Sequence, residues 1–286
     1  MKQNKIRIAI IGASYLQLPL IEKAKFNNYE THVFAWKCDD IGEKVADFFY
    51  PISITEKESI LERCRIIGID GICSIASDLA SITVNYVAYN LGLNGNSIYS
   101  SMLSTNKHLM RIAFEKAKIP SPKSFLINNL DEIKELDIRY PIIVKPTDRS
   151  GSRGISKVEN YSELKKAFGY AQQQGFSKEV LIEEYIDGQE YSVECLSVAG
   201  KHTMLAITKK YTTKGPYFVE RAHFERALIS PQMYKTVQEY VFQALDSLEI
   251  CQGASHSELK INQEGKITFI EIGARMGGDC IGSSLV

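Results

Sequence analysis

Apolar and polar residues in the first hundred positions follow two alternating periods. Short apolar runs, "KIRIAII", "THVFAW" and the one inside "GIDGICSIAS", read as buried strands. Helical patterns separate them: "PLIEKAKFNN", then "SDLASITVNYVAYNLGL", where Ala80, Val84, Val87, Ala88 and Leu91 make one apolar stripe. This strand–helix alternation predicts a doubly wound parallel sheet with ligands at the strand carboxyl ends. A new unit starts near "STNKHLMRIAFEKAKIPSP", where Ser104 or Thr105 caps a helix with apolar positions Leu109, Ile112, Ala113 and Ala117, closed by Pro120. Beyond it the pattern is α+β. The strand "PIIVKP", the loop "TDRSGSRGISKV", a helix through "YSELKKAFGYAQQQG" and the strand "VLIEEYI" lead to two antiparallel strand patterns, "GQEYSVECLSVAG" and "KHTMLAITKKYTT". A helix follows, capped by Ser230 ahead of Pro231, with a Val237, Tyr240, Val241, Ala244, Leu245, Leu248 stripe.

The stretch "SHSELKINQEGKITFIEIGAR" then reads as a hairpin about the polar turn "NQEGK". If Asn262 pairs with Ile267, Glu258 lies opposite Glu271, and like charges facing each other across a strand pair are destabilising. Such a pair shares a proton, shares a cation, or is partly exposed and merely tolerated, and the strand alternation below argues against the last. Oxygen ligands favour a hard ion, and magnesium is typically held by one or two carboxylates together with substrate phosphates. Period-two alternation puts Glu271, Gly273 and Arg275 on one strand face and Ile270 and Ile272 on the other. Gly273 leaves room for a ligand beside the acids, and Arg275 offers a positive fork to phosphate or carboxylate.

Composition narrows the function classes. With 286 residues, 44% of them hydrophobic, the chain has material for about two cores, so disorder is not expected. Lysine plus arginine balances aspartate plus glutamate at 34 each, which gives no sign of nucleic acid or an anionic membrane as a partner. The start "MKQNKIRIAIIGAS" reads as a first buried strand rather than a leader, and no apolar stretch approaches bilayer-spanning length. Six cysteines (Cys38, Cys64, Cys73, Cys195, Cys251, Cys280) show no metal-like spacing and read as reduced thiols of a cytoplasmic protein. A nicotinamide fingerprint is missing, because "GASYLQ" follows Gly12 with no second or third glycine.

The loop "TDRSGSRG" complements the acids. Its small residues Thr147, Ser150, Gly151, Ser152 and Gly154 let backbone N–H groups turn toward a polyphosphate, and Lys145 ends the strand aimed at it. Lys107 sits in a first helical turn, where the dipole disfavours a cation unless an anion joins it.

In order, Lys107 before an apolar helix, "IIVKP" with a glycine-rich loop, "VLIEEYIDGQEYSVE", Glu258 and "FIEIGAR" resemble the ATP-grasp superfamily. Within it the chain looks like carboxylate–amine ligases: L-amino-acid ligases, phosphoribosylglycinamide-synthetase-like proteins and the biotin carboxylase type. The resemblance covers nearly the whole chain. It implies an N-terminal doubly wound pre-ATP-grasp domain over 1–104, then an α+β ATP-grasp domain with an N-lobe over 105–186 and a C-lobe over 187–286. It implies ATP and magnesium (or manganese) as cofactors, small-molecule carboxylate and amine substrates, and room for a homodimer. Lys107 and Lys145 would contact ATP phosphates under a lid formed by Ser150, Gly151, Ser152 and Gly154. Glu183, with the backbone of Tyr185 and Ile186, would read the adenine edge, and Glu190 would hold the ribose. Glu258 and Glu271 would bind the metal, and Arg275 would stabilise developing negative charge. His223 in "GPYFVERAHFE" resembles a histidine near substrate in the amino-acid-ligase subgroup, with Arg221, Lys209 and Asp78 as weaker candidate contacts. His32, His108, His202 and His256 are read as packing or surface groups.

The reaction so implied activates a carboxylate as an acyl phosphate, which an amine then attacks. Two departures bear on it. Many relatives carry asparagine where this chain has Gly273, and relatives usually continue for about a hundred residues past "GARMGGD", the size of a subdomain, so the C-lobe is expected to be shortened. The rival reading is an ATP-binding regulatory or scaffold protein without turnover.

Overall fold

The computed structural model describes residues 5–213 and 218–282. Strands β1 (Arg7–Ile11), β2 (Glu30–Phe34), β3 (Phe48–Tyr50) and β4 (Gly71–Cys73) form a parallel sheet in the order β3-β2-β1-β4. Helices α1 (Leu18–Phe26), α2 (Ile41–Val45), α3 (Lys57–Ile67) and α4 (Asp78–Leu91) connect and cover it, as the alternation predicts. Ser77 caps α4 by accepting from the Ala80 N–H, and Gly92 ends it in the left-handed conformation. The stripe on α4 is the observed one: Ala80, Val87 and Ala88 are buried, with Val84 and Leu91 packed against the same core.

Two helices that nearly abut come next, α5 (Ile98–Thr105) and α6 (Lys107–Lys116). Ser104 and Thr105 belong to the end of α5 rather than capping α6. Asn106 caps α6, its side chain accepting from the His108 and Leu109 N–H groups. The buried face of α6 is correspondingly Lys107, Met110, Arg111 and Phe114. Met110 and Phe114 enter a core, while Lys107 and Arg111 make charged contacts described below.

A second sheet, antiparallel and ordered β5-β8-β6-β7, joins β5 (Ser124–Ile127), β6 (Ile142–Pro146), β7 (Ser156–Val158) and β8 (Val180–Glu184), with α7 (Tyr161–Gln174) packed on it. The third sheet, ordered β11-β10-β9-β12-β13, contains β9 (Gln189–Val198), β10 (Lys201–Thr212), β11 (Glu220–Glu225), β12 (Gly253–Ile261) and β13 (Ile267–Gly273). One face packs on α6 and α8 (Pro231–Ser247) through Phe114, Val241, Leu245, Leu259 and Phe269. Leu103 of α5 enters that same core, and Ser100 Oγ donates to the Leu248 carbonyl, so the helix before residue 104 is tied to the third sheet. The opposite face carries charge. No helix among the described residues is long and apolar enough to cross a membrane.

Candidate active site

Glu258 does face Glu271 across β12 and β13, but the route there differs from the counting above. Next to the turn, Ile261 pairs with Ile267 and Leu259 with Phe269. A bulge then inserts Ile270, after which Glu258 pairs with Glu271 and His256 with Gly273. The extra residue reverses which side chains face the core: Ile267 and Phe269 are buried before it, Ile272 after it. Unbroken alternation from Phe269 would have sent Glu271 into that core. Ile270 therefore lines the charged cleft beside Glu258 and Glu271, not the opposite face, and its carbonyl accepts from Arg111 Nη2 at 2.6 Å.

Cations reach the two acids from distant elements. Lys107, 3% exposed, donates to Glu271 Oε1 at 2.8 Å and to the Arg149 carbonyl at 2.6 Å. Its first-turn position thus has the anion that the dipole argument calls for, supplied by the protein itself. Lys210 on β10 was not singled out from the sequence. Its ammonium lies 2.7 Å from Glu258, 2.7 Å from Glu220 and 3.1 Å from Glu190. Burial opposes that charge, but the three carboxylates raise Lys210 above the ordinary lysine value. Burial would likewise raise Glu258, yet Lys210 and His256 hold it well below the carboxylate range. Glu190 goes the other way: burial and the neighbouring Glu258 raise it against the pull of Lys210.

His256 also proves to be a site residue. On β12, two positions from Glu258, it bridges Glu194 through Nδ1 and Glu258 Oε1 through Nε2 at 3.3 Å. Burial lowers its affinity for a proton, but Glu194 more than compensates and lifts the imidazole to about 9.

Lys145, the penultimate residue of β6, lines the same cleft, buried and 2.6 Å from Glu183 Oε2. Arg111 Nε engages the other oxygen, Glu183 Oε1, at 2.8 Å. Both oxygens of the Glu183 carboxylate are thereby engaged inside the protein, and the residue also borders the slot described next. Burial would raise Glu183, but Arg111 and Lys145 keep it below its usual value; burial depresses Lys145 despite Glu183. Glu184, Tyr185 and Ile186 border a slot of ≈ 90 Å³ with apolar walls from Ile143, Ile155, Phe218 and Ile270, and Lys260 donates to the Ile186 carbonyl at 3.0 Å. Glu190 lines both this slot and the charged cleft of ≈ 500 Å³.

In the loop, Ser150, Gly151 and Ser152 line the cleft, with Gly151 (φ 68°) and Ser152 (φ 54°) in the left-handed region. Gly154 stands apart from them. It is buried with φ 77°, and a Cβ there would come within 2.9 Å of Pro146 Cδ and Gln174 Cβ, so both packing and backbone conformation require glycine. Gly154→Ala is expected to cost ~1–2 kcal/mol from the backbone conformation alone, visible as a lower melting temperature.

Arg275 is forked onto Asp78 at the start of α4, with Nε–Oδ1 2.8 Å and Nη2–Oδ2 3.3 Å. This pair fills the space beside Gly273 that the sequence leaves open: a Cβ at 273 would lie 3.0 Å from Asp78 Oδ1 and 3.2 Å from Arg275 Cζ. Burial would raise Asp78, but Arg275, then Lys107 and Ser150, hold it below its ordinary value. His223 sits at the cleft margin, 3.1 Å from Glu220, and the preceding Tyr217 of its motif lies outside the described residues. Glu220, His223 and Asp279 bring ligand atoms within 4.8 Å of one another, but Lys210 already supplies positive charge to Glu220. Glu258 and Glu271 face each other in register and offer carboxylate oxygens, ligands that fit a hard divalent ion completed by substrate phosphates.

Comparisons with known proteins follow the same outline. A family model described as an ATP-grasp domain matches residues 138–283, about half of the chain. The D-alanine–D-alanine ligase of Flavobacterium psychrophilum is 26% identical over 283 residues, covering 93% of this chain and 83% of that protein. Alanine–anticapsin ligase of Bacillus subtilis is 23% identical over 277 residues, covering 85% of this chain and 58% of its own length. Among solved structures, the L-amino acid ligase from Bacillus licheniformis superposes with TM-score 0.84 at 25% identity, over 99% of this chain and 70% of that one. Phosphoribosylglycinamide synthetase from Anaerococcus prevotii (TM-score 0.77, 19% identity, 97% and 70% covered) shares the fold.

Proposed function

Because the chain belongs to the ATP-grasp family, we propose that it is an ATP- and magnesium-dependent ligase joining a carboxylate to an amine. The observation that carries the reading is Glu258 facing Glu271 in a cleft where Lys107, Lys145, Lys210 and Arg275 converge next to an apolar slot. Relatives named for joining alanine to alanine or to anticapsin support an amino acid as substrate.

In this proposal the slot takes the adenine against the backbone of Tyr185 and Ile186, and Glu190 takes the ribose hydroxyls. Lys107 and Lys145 steady the phosphates, and the 150–152 loop closes over them to exclude water. Glu258 and Glu271 hold magnesium, or manganese in its place, which when bound neutralises phosphate charge. The substrate carboxylate attacks the γ-phosphorus, giving ADP and an acyl phosphate; the amine then displaces phosphate. Arg275, released from Asp78, steadies negative charge as the amine attacks. His223 and Glu220 lie where a substrate amino group would be received. The working division is 1–104, 105–186 and 187–286, and the location proposed is cytoplasmic, in keeping with six cysteines that show no metal-like spacing. Light scattering on the purified chain tests the homodimer.

Release of ADP that requires both an added carboxylate and an added amine, assayed over pairs of amino acids, is the expected result. ATP binding without such release would favour the scaffold reading. A melting temperature raised by a dinucleotide but not by ATP would exclude both.

A further inference from the structure

Two residues before Glu258 lies a buried pair that the reaction above does not use. Glu194 and His256 are adjacent on β9 and β12, 3% and 5% exposed, in one cross-strand row with Gly273; Ser192, Glu258 and Glu271 form the next row. Desolvating an ionisable pair is costly, and a buried ion pair is weak grounds for stability in itself. The geometry instead gives this pair a fixed orientation. Glu194 is held twice, by His256 Nδ1 and by the Gly277 N–H donating to Oε2 at 3.2 Å. Gly277 presses on both partners: a Cβ there would lie 2.8 Å from His256 Nδ1 and 3.1 Å from Glu194 Oε1. The far edge of the imidazole then meets Glu258 Oε1.

We infer that Glu194 is a positioning residue, which, itself held by the Gly277 N–H, fixes the His256 imidazole and through it the place of Glu258 opposite Glu271. Without this hold, Lys210 alone directs Glu258, and Lys210 is shared with Glu190 and Glu220 on the other side. Glu258 Oε1, already 2.7 Å from Lys210, would keep that contact and lose the second one that fixes its position. The inference rests on the reading of Glu258 and Glu271 as metal ligands, and it concerns what aims one of them.

The test is Mn²⁺ binding in the presence of ADP, followed by the electron paramagnetic resonance of free manganese, on wild type, Glu194→Gln, His256→Gln and Gly277→Ala. In each variant Mn²⁺ affinity is expected to fall by about 10–100-fold, the usual loss when a group orienting a metal ligand is removed. The activating Mg²⁺ concentration should rise in parallel, and metal-free ADP affinity should stay within about twofold of wild type, as expected for a group outside the slot. Variants that bind Mn²⁺ as wild type does would overturn the positioning role while leaving the ligase reading untouched. Wild type failing to bind Mn²⁺ with ADP would overturn the metal assignment, and this inference with it. Should Glu194→Gln fail to fold, Gly277→Ala, which keeps every ionisable group, gives the same readout: lost affinity supports the positioning role and retained affinity refutes it.

Discussion

Glu271→Gln is expected to lower turnover by on the order of 10²–10³-fold, the scale of losing one preorganised electrostatic group in an active site, while the chain still folds. Glutamine keeps the shape of the side chain and can still accept from Lys107, which also retains its bond to the Arg149 carbonyl. What disappears is the charge opposite Glu258. The measurement is carboxylate- and amine-dependent ADP release, with circular dichroism to verify the fold. Unchanged turnover would remove Glu271 from the metal site.

The largest stability effect is expected at Glu183. Its carboxylate lies between Arg111 and Lys145, and all three side chains are at most 4% exposed. Glu183→Ala leaves two buried cations without their partner, a change that costs about 3–5 kcal/mol. For a chain of this size that lowers the melting temperature by on the order of 10 °C. Asp131→Asn, which breaks the solvent-exposed pair with Lys134, should leave melting unchanged and serves as the control. Acid adds a second check on Glu183. Because its folded value is depressed, its contribution is complete above the ordinary glutamate range, about 4.3, and is lost as pH falls through the depressed value. The stability gap between wild type and Glu183→Gln should therefore close at acid pH and reopen on return toward neutrality. A gap constant down to pH 2 would refute the ion-pair assignment.

Local pattern carried much of the architecture, because strands and helices announce themselves by period. The α4 stripe, the Ser230 cap and the two acids of the hairpin are all read within a few residues of sequence. The misses share a physical origin in long-range contact. Asn106, not Ser104 or Thr105, caps α6 because α5 runs through to Thr105, and the preference for serine or threonine at caps could not reveal a neighbouring helix. Glu258 was placed opposite Glu271 through a uniform register, whereas the hairpin reaches the same pairing by a tighter turn and a compensating bulge. Lys210 and Glu194 come from strands that meet the acids only in the sheet, while His256, on the strand of Glu258, is joined to the site by Glu194 across it. One local signal was available for Lys210: it falls between Thr208 and Thr212 on an alternating strand, so it shares their face while Ile207 faces the core. Gly273 read as open space because its occupants, Asp78 and Arg275, come from α4 and from just beyond the strand itself.

The irregularity at Ile270 reaches further than the hairpin. By leaving the ladder, its carbonyl becomes the anchor for one end of Arg111, whose other end grips Glu183 and, through it, Lys145. The distance between the acid pair on the third sheet and the lysine on the second is thus gauged by a single guanidinium of fixed span. Removing one residue from β13 would do more than misdirect a carboxylate: it would detach the gauge, and the two walls of the cleft would lose their common calibration.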